Sequence, residues 1–274
     1  MSVEIAAVVL AAGEGRRLRP LTETTPKALC PVGNVPLLEL ALRRLAGLGF
    51  TGRRRLAVNA SYLGDQVVAA VGDRAWVSSE EHPLGTSGAL GRLRDWIDGR
   101  GVLVGNADAY LAGGDLAPLL RDWDGHSTRL LGVPVAEGGF SGRRFAGFSL
   151  LPWHRVRELT SEPAELVRTV WRPAEAAGEL TVVDYAGTYL DTGTPPDYLA
   201  ANLDTTRGGV LLHPDAVVTG VVRHAVVGAG AVVRGRVERA VVWPGAVVEA
   251  DEVLVDAVRY PGGTVPAAPA PAAA

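Results

Sequence analysis

The chain of 274 residues has one cysteine (Cys30), one methionine and one lysine (Lys27). A single cysteine excludes an intrachain disulfide and any cysteine cage for a metal ion, and Cys30 reads as a small buried hydrophobe rather than a nucleophile. Positive charge is not in surplus. The 27 Lys+Arg stand against 30 Asp+Glu, a formal charge of -3, where a general nucleic-acid binder would carry a basic excess. No apolar run reaches the roughly 18 residues needed to cross a bilayer, and the opening MSVEIAAVVLAAGEG has neither a basic leader nor a cleavage site. These absences point to a cytoplasmic protein with no nucleic-acid and no membrane partner. His82, His126, His154, His213 and His224 show no ligand spacing.

What is present is an alternation. IAAVVLAA (5–12) is a continuous apolar run ending in glycines, the pattern of a strand buried on both faces of a sheet. VPLLELALRRLAGLG (35–49) carries apolar residues at helical spacing and ends in glycine. RRLAVNA then reads as strand, YLGDQVVAAVG as helix, GVLVGNAD as strand, GDLAPLLRDW as helix and TRLLGVPV as strand. Such alternation predicts right-handed βαβ units in an open sheet, with ligands beyond the carboxyl ends of the strands. The loops after Leu10 and after Asn106 should therefore carry chemistry. Trp153 and Trp171 read as core.

After about Asn202 the texture changes to valine and glycine. Val221, Val227 and Val233 are six apart, and Val242, Val248 and Leu254 repeat that spacing. A six-residue repeat with one aliphatic turned inward predicts a short left-handed parallel β-helix, a lid or an oligomer contact. The expected organisation is an α/β domain with a Rossmann-like open mixed sheet over 1–206, the β-helix over 207–260 and a disordered Pro/Ala tail over 261–274.

Gly13 and Gly15 follow the first strand directly, where glycines let backbone N–H groups close around a phosphate. A Walker loop would need Gly-Lys-Ser/Thr, and the dinucleotide fingerprint would need a third glycine where Leu18 stands. Arg16, Arg17, Arg19 and Lys27 follow instead, a basic loop suited to a triphosphate. A tight strand-to-helix turn carrying solvated arginines is the alternative.

LAAGEGRRLRPLTETTPKALCPVGNVPLLE resembles the opening motif of the sugar-1-phosphate nucleotidylyltransferases, most closely the mannose-1-phosphate guanylyltransferase branch. The resemblance continues through EEHPLGTSGAL (80–90), VGNADAY (104–110), YLDTGTPPDYLAANL (189–203) and the terminal β-helix. It implies nucleotidyl transfer from a nucleoside triphosphate, GTP or UTP, to a sugar 1-phosphate. It implies that Leu10, Ala12, Gly13, Gly15 and Arg16 bind the nucleotide and that Arg17 faces the departing pyrophosphate. Lys27 would meet the α-phosphoryl and the sugar phosphate. Gly85, Thr86 and Gly88 would pack on the nucleobase, where missing side chains leave room for a planar ring. Gly147 and Asp108 would contact the sugar, and Asp108 with Asp191 would hold Mg²⁺, a hard ion that needs few carboxylates beside phosphate oxygens. A homo-oligomer through the β-helix is a further expectation. The chain departs from the pattern at Arg16, at Ala107 and at Phe145, where many members place a sugar-binding asparagine. Its shortened RRFAGFSLLP and its AVNASYLGDQV look more like the N-acetylmuramate-1-phosphate uridylyltransferase branch. A catalytically silent regulatory relative and an acyltransferase built on the hexapeptide repeat are the remaining alternatives.

Overall fold

The computed structural model describes residues 3–268. By its contacts the chain forms two compact units, Met1–Glu14 with Leu38–Tyr189, and Gly15–Leu37 with Leu190–Ala274.

The first unit is built on a seven-stranded sheet. From one edge to the other its strands are Leu180–Asp184, Thr128–Pro134, Arg143–Leu151, Gly101–Asn106, Ile5–Leu10, Leu56–Ala60 and Trp76–Ser79. Ile5–Leu10 lies inside, parallel to both neighbours, which is why its side chains are apolar without alternation. Leu10 is in register with Asn59 on one side and Asn106 on the other. Three strand ends therefore stand level, and the loops leaving them emerge together. Arg143–Leu151 runs antiparallel to both of its neighbours, making the sheet mixed as expected. The helices Leu37–Gly47 and Gly64–Val71 fall where the apolar spacing put them. The segment read as helix around 114–123 holds only the single turn Ala117–Leu120. Val8, Leu90, Ile97, Val102, Val104, Leu130 and Trp171 form a shared core against which Trp153 packs.

The second unit is a β-helix carrying a helix and a hairpin. Val210–Leu212, Val221–Val227, Arg236–Val242 and Val253–Tyr260 stack in parallel, and the short strands Val217–Val218, Val232–Val233 and Val247–Val248 form a second face. Val227, Val233, Val242 and Val248 are buried, as the repeat predicts. Val221 is 51% exposed, and the partly buried Val222 packs inward instead. The cause is local. His224 sits at φ 42 in the left-handed region, a kink that shifts the inward phase within its strand; Arg239 and Asp256 kink the next two coils likewise, at φ 44 and 46.

Two expectations about the chain's organisation are corrected. The predicted disordered tail does not begin at 261: Gly263–Pro266 is a strand antiparallel to Val253–Tyr260, and Ala267 N donates to Asp256 O at 2.8 Å. Residues 269–274 lie outside the described part. Nor do contacts divide the chain at 206/207, because the helix Pro195–Thr206 and the hairpin of 15–37 gather with the β-helix. Tyr198 is fully buried there; its hydroxyl accepts from Trp243 Nε1 at 3.0 Å and donates to Pro31 O. Asn34 Nδ2 donates to Val227 O and Gly33 N to Asn202 Oδ1, both at 3.1 Å. Burying that ring required the hairpin and helix to close on the coils.

Candidate active site

In the first unit the loop after Leu10 begins under close control. Ala11 N donates to Asn59 Oδ1 at 2.7 Å, and Ala107 N donates to Leu10 O at 3.0 Å, which fixes the turn that presents Asp108. A side chain on Gly13 would project into open space, so its smallness answers no packing need of the protein. Leu10 and Ala12 flank this exposed turn from the strand side.

The glycines of GTSGAL are closely packed on one side. A Cβ on Gly85 would stand 2.5 Å from Ala164 O, and one on Gly88 would stand 2.5 Å from Glu162 O. The room left by the missing side chains is taken by the chain's own 162–165 segment. Thr86 is engaged by it too: its hydroxyl donates to Glu165 Oε2 at 2.6 Å and accepts from Leu166 N at 2.8 Å. Those positions build the first turn of Gly85–Arg92, with the 162–165 segment packed on the side where a Cβ would stand. Gly147 stands at φ 81 with Ala109 Cβ only 2.3 Å from where its own Cβ would be, so it lets the turn after Asp108 approach the neighbouring strand. Phe145 stacks on Trp171 at 4.4 Å, an apolar contact an asparagine could not make.

In the second unit the charges converge on Asp191. Lys27 Nζ lies 3.7 Å from Asp191 Oδ1, and Arg17 Nη2 lies 3.9 Å from Oδ2. Lys27 is only 8% exposed, set on the turn Lys27–Leu29 that Cys30 N closes by donating to Lys27 O at 3.1 Å. Gly15 stands at φ 63, and a Cβ there would come within 2.9 Å of Thr22 and 3.0 Å of Lys27 Cβ, so this glycine admits the lysine stem. Arg16 is exposed beside it. A Cβ on Gly193 would stand 2.6 Å from Arg17 Nη2 and 3.1 Å from Asp191 Oδ1. Two cations about one carboxylate set N–H donors of the kind that suit phosphate oxygens side by side. Cys30 is buried, and burial pushes its thiol up to about 12, which removes it as a nucleophile.

No group of three or more His, Cys, Asp or Glu gathers as a metal cage among the described residues. The protein donors suit a hard ion only in company with phosphate oxygens. Three residues escaped the motif reading. Gly193 was hidden because a close approach leaves no periodic trace. Asn59 and Glu80 sat inside quoted motifs without a role, although Glu80 is buried and desolvation raises its carboxyl above the usual value. No described helix is long and apolar enough to cross a membrane.

Among similar proteins, mannose-1-phosphate guanylyltransferase of Mycobacterium tuberculosis is 28% identical over 75% of this chain and 66% of its own length. N-acetylmuramate alpha-1-phosphate uridylyltransferase of Neisseria meningitidis is 38% identical over 109 residues, 37% of this chain and 46% of that protein. The chain thus spans just under two-thirds of the first relative and less than half of the second. Its fold is shared with the crystal structure of mannose-1-phosphate geranyltransferase from Thermus thermophilus, at a TM-score of 0.66 and 17% identity over 93% of this chain and 91% of that one. With residues 7–202 matching the family's model, the chain belongs to the family of MobA-like NTP transferase domains.

Proposed function

We propose that this protein transfers a nucleotidyl group from a nucleoside triphosphate to a sugar 1-phosphate, releasing an NDP-sugar and pyrophosphate. The observation that carries the reading is the buried Lys27, held beside Asp191 and Arg17 on a closed turn. Burying a cation is costly unless it is paired, and Asp191 supplies that partner. A phosphate oxygen of the sugar 1-phosphate attacks the α-phosphorus in line, the new P–O bond forms, and the bond to the bridging oxygen breaks so that pyrophosphate leaves. Lys27 neutralises charge on the α-phosphoryl and the incoming phosphate, and Arg17 neutralises the leaving pyrophosphate. Gly13, whose missing side chain leaves open space, lets backbone N–H groups approach the phosphates. Asp108 and Asp191 would hold Mg²⁺, which when bound polarises the phosphoryl oxygens and neutralises the charge that develops there.

For the substrates, guanylyl transfer to mannose 1-phosphate is favoured by the relative that aligns over three-quarters of this chain. Uridylyl transfer to an amino-sugar 1-phosphate is the second reading, favoured by Phe145 packed against the apolar core and by the shorter, more identical match. Pyrophosphate release decides between them, measured for GTP, UTP and dTTP against mannose, glucose and N-acetylmuramate 1-phosphates. One pair should exceed the rest in kcat/KM. No release from any pair, with triphosphate binding intact, would leave the silent relative as the answer.

A further inference from the structure

The asparagine of AVNASYLGDQV has no part in the transfer step, yet it is 3% exposed and bonded at both ends of its amide. Its Oδ1 accepts from Ala11 N at 2.7 Å, and its Nδ2 donates to Glu80 Oε1 at 2.8 Å. Glu80, itself 6% exposed, accepts at its other oxygen from Leu84 N at 3.1 Å, while its own N donates to Ala60 O at 2.8 Å. One buried chain of hydrogen bonds therefore runs from the first peptide of the glycine loop to the turn that opens the helix Gly85–Arg92.

We infer that Asn59 is a positioning residue for the nucleoside triphosphate, tying the phosphate-facing loop at Ala11–Gly13 to the turn at Leu84–Gly85 so that both ends of the nucleotide meet one rigid piece. The inference rests on the nucleotidyl-transfer reading. Its physical basis is the polarity of the chain. Ala11 N–H and Leu84 N–H can only donate, so each end demands an acceptor. An amide at 59 supplies one acceptor and one donor, and a carboxylate at 80 supplies two acceptors. Exchanging either residue for its near-isostere sets like groups against each other, acceptor facing acceptor or donor facing donor. An aspartate at 59 keeps the bond from Ala11 but sets two carboxylates face to face, with Arg92 the nearby cation. One of the pair must then hold a proton for the chain to close, and a protonated aspartate donates to Glu80 just as Nδ2 does. Lost polarity would let the glycine loop drift, and drift of about 1 Å can cost on the order of 10²-fold in rate.

The test uses the full chain as wild type, Asn59→Asp and Asn59→Leu. Initial rates are measured against each substrate across pH, beside equilibrium dialysis of the triphosphate and thermal midpoints. Asn59→Leu should weaken the triphosphate KM and Kd by about 10-fold or more, with the sugar-phosphate KM little changed. Asn59→Asp should approach wild type near about pH 5.5 and fall progressively, on the order of 10²-fold, by about pH 8. An Asn59→Asp profile parallel to wild type, or equal weakening toward both substrates, would overturn the inference. If Asn59→Leu fails to fold, the Asn59→Asp profile carries the test. If wild type releases no pyrophosphate, the transfer reading falls, and the pH dependence of triphosphate binding to Asn59→Asp still decides whether this asparagine positions the nucleotide.

Discussion

Replacing Lys27 by arginine keeps the charge and changes only its shape, which isolates what the lone lysine contributes. The side chain is 8% exposed, its stem passes the Cβ-less face of Gly15, and its ammonium stands 3.7 Å from one oxygen of Asp191. Arg17 approaches the other oxygen at 3.9 Å. A planar guanidinium at 27 prefers both oxygens of a carboxylate at once, so it would compete with Arg17 for Asp191 and turn its donors away from the phosphates. A wider head in so buried a position also overpacks, at about 1–3 kcal/mol of stability. The catalytic loss should match that of a missing preorganised donor, on the order of 10²-fold in turnover, or about 2.7 kcal/mol at 1.36 kcal/mol per tenfold. Single-turnover rates at saturating triphosphate separate this loss from binding, and a thermal midpoint checks the fold. Rates near wild type in Lys27→Arg would refute the reasoning, leaving charge alone as the requirement. Lys27→Ala should be as slow or slower.

Asp108→Asn and Asp191→Asn should each lose Mg²⁺-dependent turnover by several kcal/mol of transition-state stabilisation while remaining folded; full activity in either removes that residue from the chemistry. Asp191→Asn should additionally loosen Arg17 and Lys27, visible as increased proteolysis within 15–37. Deleting 207–274 strips the coils from Tyr198 and from the hairpin bonded through Asn34, so stability and turnover should fall together; a fully active truncation would show that the hairpin holds Lys27 unaided. Glu80 gives a pH signature. Burial raises its carboxyl above the ordinary 4.5, so the folded chain holds that proton more tightly than the unfolded one. Its contribution to stability is full below the unfolded value and is lost as pH rises through the folded value. Denaturant midpoints of wild type relative to Glu80→Gln should therefore decline as pH rises past the ordinary 4.5, and a rising difference would contradict the sign.

The sequence by itself determined the elements whose pattern is local. A strand buried on both faces must be apolar throughout, so IAAVVLAA announces its place inside the sheet, and the valine repeat announces the coils. Lysine used once, beside arginine everywhere else, singled out position 27, and the structure sets it beside Asp191 across more than 160 residues of chain. Tertiary structure alone decided the rest, because it depends on which distant backbone comes close. Only the fold shows the 162–165 segment packed where a Cβ on Gly85 or Gly88 would stand. Val221 obeys the six-residue spacing yet faces outward, since one left-handed residue at His224 resets the phase. Asn59 and Glu80 carry no spacing signal at all. Their meaning lies in the direction of hydrogen bonds across three neighbouring strand ends, and direction exists only once the strands are laid side by side.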